Sequence, residues 1–262
     1  MIEKQYLIIF YFIVCLTFGF SSECLNMGTA PFSGTIFIDP DIITPTDPST
    51  FLGLYYNGTA PRKMYDRRIP GWVNLNPYLF PANFEGGFEI EIQVNQEFGN
   101  PKIAQAIAEK YATVIGRLSN QLRKDVETVW IHKGLKPFGG GNKNLLIHTD
   151  WSEKHYEKQG ILEETFVHEA SHTSLDSYHS NRSEWIIAQN KDCNYISSYA
   201  EDNPEREDIA ESYLPYLAVR FKSARISKEL KRKIEKAIPN RIKYFDSMNF
   251  DMYPIKKDDK KK

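Results

Sequence analysis

The chain has 262 residues, 41% of them hydrophobic and 13% aromatic, with 33 basic and 34 acidic side chains and a formal net charge of −1. This balance excludes an overall polyanion-binding surface, so no nucleic-acid partner is expected, and the apolar content excludes intrinsic disorder. Three cysteines are too few for a disulfide scaffold, and a mean hydropathy of −0.48 excludes a polytopic membrane protein.

The first element is an uncharged hydrophobic run at residues 6–20. Lys4 precedes it, and Gly19 and Ser21 provide the small residues favoured before a cleavage site. The run is short for a membrane span, which needs about 20 apolar residues. Residues 1–21 are therefore predicted to be a signal peptide of a secreted protein without stable membrane insertion. An uncleaved anchor is the alternative.

Export decides how the cysteines and sequons are interpreted. Cys15 would leave with the signal peptide, and Cys24 and Cys193 would remain in an oxidising compartment. A Cys24–Cys193 disulfide is predicted, with two separate thiols as the alternative. Asn57 and Asn181 begin N-x-S/T triplets, so both are predicted glycosylation sites.

The composition and the hydrophobic pattern of the remaining chain change once, near Pro101. Residues 22–100 are rich in proline, glycine, asparagine and tyrosine, and Thr35–Ile38 and Phe88–Val94 are predicted strands. The second run alternates apolar and polar side chains, as a half-buried strand does. Helical patterns begin near Pro101, the one candidate boundary between a β-rich region, 22–100, and a second region, 101–254.

The second region is predicted to mix helices with short strands. Pro101 suits the first turn of an amphipathic helix with apolar residues at steps of three and four. Strands are predicted at 125–131 and 144–149, and helices at 101–122, 160–176, 203–221 and 227–238. Residues 255–262 form a charged tail.

Residues 168–172 read H-E-x-x-H within one of these helices. Because residues four apart share a helix face, the rings of His168 and His172 can reach one zinc ion. Glu169 lies beside them, where it can accept a proton from a zinc-activated water. The motif predicts a catalytic zinc site, and the alternative is two histidines on a polar helix face.

A catalytic zinc needs a third protein ligand, and two residues compete for this role. His179 is the alternative metal ligand, but on a continuous helix it would lie about 10.5 Å beyond His172, and Leu175 replaces the glycine with which metzincins turn the chain. Glu207 is preferred, because it begins a helix in which Glu211 lies one turn further on. Glu211 would then accept the free N–H of a ligand histidine, unless both glutamates are solvated.

This combination resembles the gluzincins, the thermolysin-like zinc endopeptidases. The segment from Ser198 to Glu211 holds a Ser-Tyr pair, an Asn-containing turn and the candidate glutamate, and it is similar to catalytic domains of the anthrax lethal factor type. The resemblance covers roughly residues 161–220. It implies that Glu207 is the third zinc ligand and that Tyr199 stabilises the oxyanion.

The resemblance also implies an α+β fold. A zincin-like catalytic domain would combine the H-E-x-x-H helix, a short mixed sheet with an edge strand and a downstream glutamate-bearing helix, preceded by the β-rich region. The predicted strand at 144–149 takes the place of the edge strand that pairs with substrate in zincins.

These parts predict a secreted zinc metallopeptidase with one Zn²⁺ per chain, a peptide or protein substrate and Glu169 as general base. Two alternatives stay open. One is a hydrolase of a non-peptide substrate on the same fold, and the other is a non-enzymatic secreted binding module that contains metal.

Overall fold

The computed structural model describes residues 28–38, 41–69 and 71–257, so the predicted signal peptide and Cys24 lie outside the described residues. The described chain is a mixed α+β protein. Its strands are β1 Phe51–Leu54, β2 Arg62–Asp66, β3 Gly71–Leu75, β4 Tyr78–Phe84, β5 Phe88–Val94, β6 Thr128–His132, β7 Gly139–Gly141 and β8 Asn144–His148.

The α-helices of the described chain are α1 Pro101–Ile115, α2 Asn120–Arg123, α3 Thr149–Trp151, α4 Leu162–Ser174, α5 Asp176–His179, α6 Ser183–Asp192, α7 Ser198–Asp202, α8 Asp208–Arg220, α9 Lys228–Ala237 and α10 Pro239–Ser247. A 3₁₀ turn at Gln96–Phe98 and a π-helical segment at Ser152–Glu157 complete the regular structure. None of the helices in the described ranges has the length and apolar content that crossing a membrane requires.

Six strands form a mixed sheet in the order β1-β4-β5-β6-β8-β7, and β2 and β3 form a separate hairpin. β1, β4 and β5 pair antiparallel, β5, β6 and β8 pair parallel, and β7 pairs antiparallel with β8. The strand predicted at Phe88–Val94 is confirmed by β5, in which Ile90, Ile92 and Val94 are buried.

The two faces of this sheet have different coverings, because successive side chains of a strand point to opposite faces. Val129 and Ile131 of β6 belong to the main hydrophobic core, against which α1 and α4 pack. Trp130, between them, lies against Trp72 of the β2–β3 hairpin, with ring centroids 5.3 Å apart. One face of the sheet is therefore covered by helices and the other by the hairpin.

The change of composition and pattern at Pro101 coincides with the start of α1, where the Asn100 side chain accepts the N–H of Ile103. It does not divide the sheet, because β5 before it pairs with β6 after it. One hydrophobic core cluster also contains residues from both sides of Pro101, for example Phe80 and Phe166. The β-rich region and the helix-rich region therefore share one sheet and one core.

Two strand predictions need correction. Thr35–Ile38 is not a strand: the Ile36 N–H donates to a Glu211 carboxylate oxygen at 2.9 Å. The strand predicted at 144–149 is β8, which lies between β6 and β7, so the edge strand on this side of the sheet is β7 and not β8. β7 consists of Gly139, Gly140 and Gly141, which lack the β-branched and aromatic side chains by which strands are recognised.

Candidate metal centre

Helix α4 contributes two histidines and a glutamate to the candidate site. Its acidic first turn suits the positive N-terminal end of a helix, and its apolar residues pack in the core. His168 and His172 lie one turn apart, and their Nε2 atoms approach to 3.2 Å. Glu169 is half-buried and lines the same cavity as both rings.

Glu207 meets these histidines from the start of α8, which packs against α4. Its Oε2 atom lies 3.1 Å from the Nε2 atom of His172 and 3.5 Å from that of His168. All three ligand atoms fall within 4.8 Å of one another. Residues 198–202 form α7 and a turn follows, so α8 begins at Asp208 and not near Asn203 as predicted.

Each histidine is oriented by a carboxylate on its other ring nitrogen. The Nδ1 atom of His168 lies 3.3 Å from Glu211 Oε1, and the Nδ1 atom of His172 lies 2.8 Å from Asp176 Oδ2. Such partners fix the ring orientation and the tautomer of metal-binding histidines. This role was predicted for Glu211 but not for Asp176, although the spacing of four residues between Asp176 and His172 was the available signal.

Glu211 is held in place by two hydrogen bonds to its other carboxylate oxygen. The Ser197 hydroxyl donates to Glu211 Oε2 at 2.6 Å, and the Ile36 N–H donates to the same atom at 2.9 Å. The N-terminal segment around Ile36 therefore crosses the back of the site. This segment replaces solvent around a buried carboxylate, whose pKa is raised by its burial.

The donor set fits a zinc ion. If each Nδ1–H donates to its carboxylate, both Nε2 atoms present lone pairs and cannot hydrogen-bond to each other. Glu207 Oε2 is buried and has no hydrogen-bond partner within the described chain. Three acceptor atoms thus converge with separations of 3.1–3.5 Å, near the roughly 3.3 Å edge of a tetrahedron with zinc bonds of about 2.0–2.1 Å.

The electrostatics of the cluster also favour a cation. Burial disfavours the charged form of His172, but the nearby carboxylates of Asp176 and Glu207 outweigh burial and raise its pKa to about 10. Burial would likewise raise the pKa of Glu207, yet His168 and His172 hold it well below its usual range. A concentration of carboxylates around two imidazoles stabilises positive charge at this point.

A cavity of about 350 Å³ opens over the three ligand atoms. Tyr199 of α7 lines it, and its hydroxyl donates to Glu207 Oε1 at 3.1 Å. Burial and the neighbouring Glu207 raise the pKa of Tyr199, so the phenol keeps its proton. The other walls comprise Thr35, Phe37, Arg67, Pro137, Phe138, Gly140, Gly141, Tyr156, Asp176 and Arg206.

The glycine strand β7 packs directly against α4. A Cβ atom added to Gly140 would come within 1.8 Å of the Glu169 carbonyl oxygen, so only glycine allows this approach. The Gly141 N–H donates to Thr173 Oγ1 at 2.8 Å, which ties the strand to the next turn of α4. The edge of the sheet therefore borders the cavity beside Glu169.

His179, the alternative ligand, lies elsewhere. It is buried in α5, and its Nδ1 atom is 2.7 Å from the Tyr244 hydroxyl. Its ring stands edge-on to Tyr244 and Phe250, and burial lowers its pKa to about 4. The structure brings Glu207, and not His179, to His168 and His172.

The predicted modifications concern the surface. Asn57 and Asn181 both carry exposed side chains, as a glycan requires. Cys193 follows α6 in a left-handed backbone conformation. Because Cys24 lies outside the described residues, the Cys24–Cys193 disulfide stays a prediction.

Comparisons with known proteins return no match for this chain, whether against protein-family models, curated proteins or solved structures.

Proposed function

We propose that this chain is a secreted zinc-dependent metallopeptidase of the gluzincin type that hydrolyses peptide bonds. The observation that carries the proposal is the convergence of His168, His172 and Glu207 beside Glu169 in one cavity. A catalytic zinc takes three protein ligands and leaves a position open, and this group supplies three. The hydrophobic run before residue 22 supports export.

The three ligands would hold one Zn²⁺, with Glu211 and Asp176 orienting the two histidines. When bound, zinc supplies a Lewis acid that lowers the pKa of a water molecule toward about 7. The protein contributes a rigid donor set on two packed helices, α4 and α8. It also contributes a cavity in which substrate displaces bulk water.

Glu169 acts as the general base and then as the general acid. Its carboxylate lies beside the two ligand histidines on α4, within the cavity and outside the ligand group. It accepts a proton from the attacking water and returns it to the amine that leaves when the peptide C–N bond breaks.

Tyr199 stabilises the negative charge that develops on the peptide oxygen. Its hydroxyl is the donor of a bond to Glu207 Oε1, so it lies at the edge of the ligand group. A phenol that keeps its proton can transfer this hydrogen bond to an oxyanion. β7 offers the free strand edge along which an extended peptide can add.

The test compares wild type with Glu169→Gln in zinc content and in digestion of a peptide library. We expect one zinc per chain in both proteins and a loss of hydrolysis of about 10²- to 10⁴-fold in the variant. Glu205→Gln, which changes an exposed acid near the site, is the matched control and should keep full activity. Full activity in Glu169→Gln would show that another group is the base.

The same two proteins, assayed also on panels of esters and non-peptide amides, separate the alternative functions. Hydrolysis of esters or non-peptide amides without peptide cleavage would favour a different hydrolase on this site. Stoichiometric zinc with no hydrolysis of any substrate would favour a metal-containing binding module.

A further inference from the structure

A second cavity, of about 310 Å³, lies on the other face of the sheet from the cavity over His168, His172 and Glu207. It is lined by Tyr65 and Trp72 of the hairpin, Trp130 of β6, Leu146 of β8 and the glycines of β7. Arg67, Gly140 and Gly141 border both cavities, so the two spaces meet at the edge strand.

A Cβ atom added to each glycine of β7 shows what the strand faces on either side. A Cβ atom on Gly140 would meet the backbone of α4, whereas one on Gly139 would meet the Arg67 guanidinium at 2.8 Å, on the hairpin side. A Cβ atom on Gly141 would meet no atom of the described chain within 4 Å. On the hairpin face, β7 therefore has no side chain between its free edge and the aromatic rings.

The aromatic rings form an ordered but open surface. Trp72 is 50% exposed, and its ring is edge-on to Tyr65 at 5.6 Å and to Trp130 at 5.3 Å. Lys63 Nζ lies 5.2 Å above the same ring. Packing from three sides holds the indole in one orientation, and half of its surface is free to contact a ligand.

From this arrangement we propose that the Trp72–Trp130–Tyr65 cluster is a specificity subsite, which binds a large apolar or aromatic side chain of an extended peptide paired with β7. The inference rests on the proposed function, because it names what that site selects. A peptide added to β7 directs alternate side chains to opposite faces of the sheet. While one residue faces the ligand group and Glu169, its neighbour faces the aromatic cluster across the glycines.

The test measures kcat/KM for internally quenched peptides that differ at one position, with phenylalanine, leucine or alanine there. We expect wild type to prefer phenylalanine over alanine by about tenfold or more at one position that flanks the cleaved bond. Trp72→Ala should lose this preference and cleave the alanine peptide at the wild-type rate, while Trp72→Phe should restore part of it. Tyr55→Ala, at another exposed aromatic residue, is the matched control and should change nothing.

An unchanged preference in Trp72→Ala would overturn the subsite and leave the proposed function intact. If wild type cleaves no peptide, the proposed function fails, and binding decides the subsite separately. In that case the same peptides are titrated onto the Glu169→Gln protein with and without Trp72→Ala. A loss of about tenfold in affinity for the phenylalanine peptide alone supports the subsite, and equal affinities overturn it.

Discussion

Two histidine pairs lie in this molecule, and their surroundings distinguish the pair that we propose as zinc ligands from a pair buried in the core. His168 and His172 are neighbours on α4, whereas His132 and His148 are neighbours on the parallel strands β6 and β8. Both pairs are close: the ring centroids are 4.8 Å apart in the helix pair and 5.5 Å apart in the strand pair. Proximity alone therefore does not define the site.

The surroundings of the two pairs differ in charge. Three carboxylates reach the helix pair, from Glu207, Glu211 and Asp176. The strand pair is fully buried, and its nearest carboxylate, that of Asp66, lies 3.9 Å from His132 and is bound by Arg68.

The pKa values follow this difference. Burial is the largest influence on the pKa of both His172 and His132, but neighbouring carboxylates raise the pKa of His172 to about 10, while burial lowers that of His132 to about 4. The Nε2 atoms of His132 and His148 have no hydrogen-bond partner in the described part of the chain. A histidine pair becomes a cation site when acids converge on it, and stays a neutral part of the core when they do not.

The largest expected effect is on zinc binding. Glu207→Ala should reduce zinc from one equivalent to none after dialysis, because two histidines remain where three ligands are needed. His132→Gln, in the strand pair, should keep full zinc. Metal analysis with circular dichroism as a check of folding decides the matter. Retention of tightly bound zinc by Glu207→Ala would show that the Glu207 carboxylate is not what makes the helix pair a zinc site.

The second effect is the contribution of the strand pair to the pH dependence of stability. Because the folded pKa of His132 is about 4 against 6.5 when unfolded, the unfolded state binds more protons between these values. Stability is therefore present above pH 6.5 and falls by about 3 kcal/mol as the pH drops to 4.

Urea unfolding at pH 7 and pH 4.5 measures this loss in wild type and in His132→Gln. The variant should lose less stability than wild type over this interval, because it has no imidazole to protonate at this position. Identical losses in the two proteins would show that His132 does not carry the pH dependence.

A third, smaller effect concerns the carboxylate behind His172. Asp176→Asn should weaken zinc binding by about 10- to 100-fold without abolishing it, because the imidazole loses a charged partner and keeps its place. Competition with a chelator of known affinity measures the change. Asp202→Asn, at an exposed acid in α7, is the control. Equal affinities in wild type and Asp176→Asn would mean that the ring is oriented by other contacts.

The smallest effect is expected at His179. His179→Gln should keep one equivalent of zinc and lose about 1 kcal/mol of stability, because its Nδ1 atom is engaged by Tyr244. Zinc content and thermal unfolding measure the two quantities. If His179→Gln lost zinc and Glu207→Ala kept it, the third ligand would be His179 and not Glu207.

Much of the local structure was predictable from the sequence. The alternation of Phe88–Val94 indicated β5, Pro101 marked the start of α1, and apolar spacing indicated the helix around His168. These features depend on residues a few positions apart, whose side chains share a face once the backbone is helical or extended. The contact of Asp176 with His172 could have been predicted in the same way, because the two residues are four positions apart.

The features that failed prediction depend on distant parts of the chain. β7 could not be recognised, because a strand of three glycines owes its pairing to β8 and to the backbone of Glu169. Thr35–Ile38 has the composition of a strand, but its hydrogen bond goes to Glu211, 175 positions away from Ile36. The aromatic cluster joins Trp72 to Trp130 through a hairpin whose position on the sheet has no local signal.

By itself, therefore, the sequence determined that His168 and His172 share a helix face with Glu169 beside them, because the helical repeat of 3.6 residues fixes that spacing. It left two candidates for the third ligand, since neither Glu207 nor His179 is tied to His172 by local geometry. Only the packing of α8 against α4 brought Glu207 to 3.1 Å from His172, and only the tertiary structure placed His179 beside Tyr244 of α10. Convergence of distant residues depends on how the whole core packs, and no local pattern encodes it.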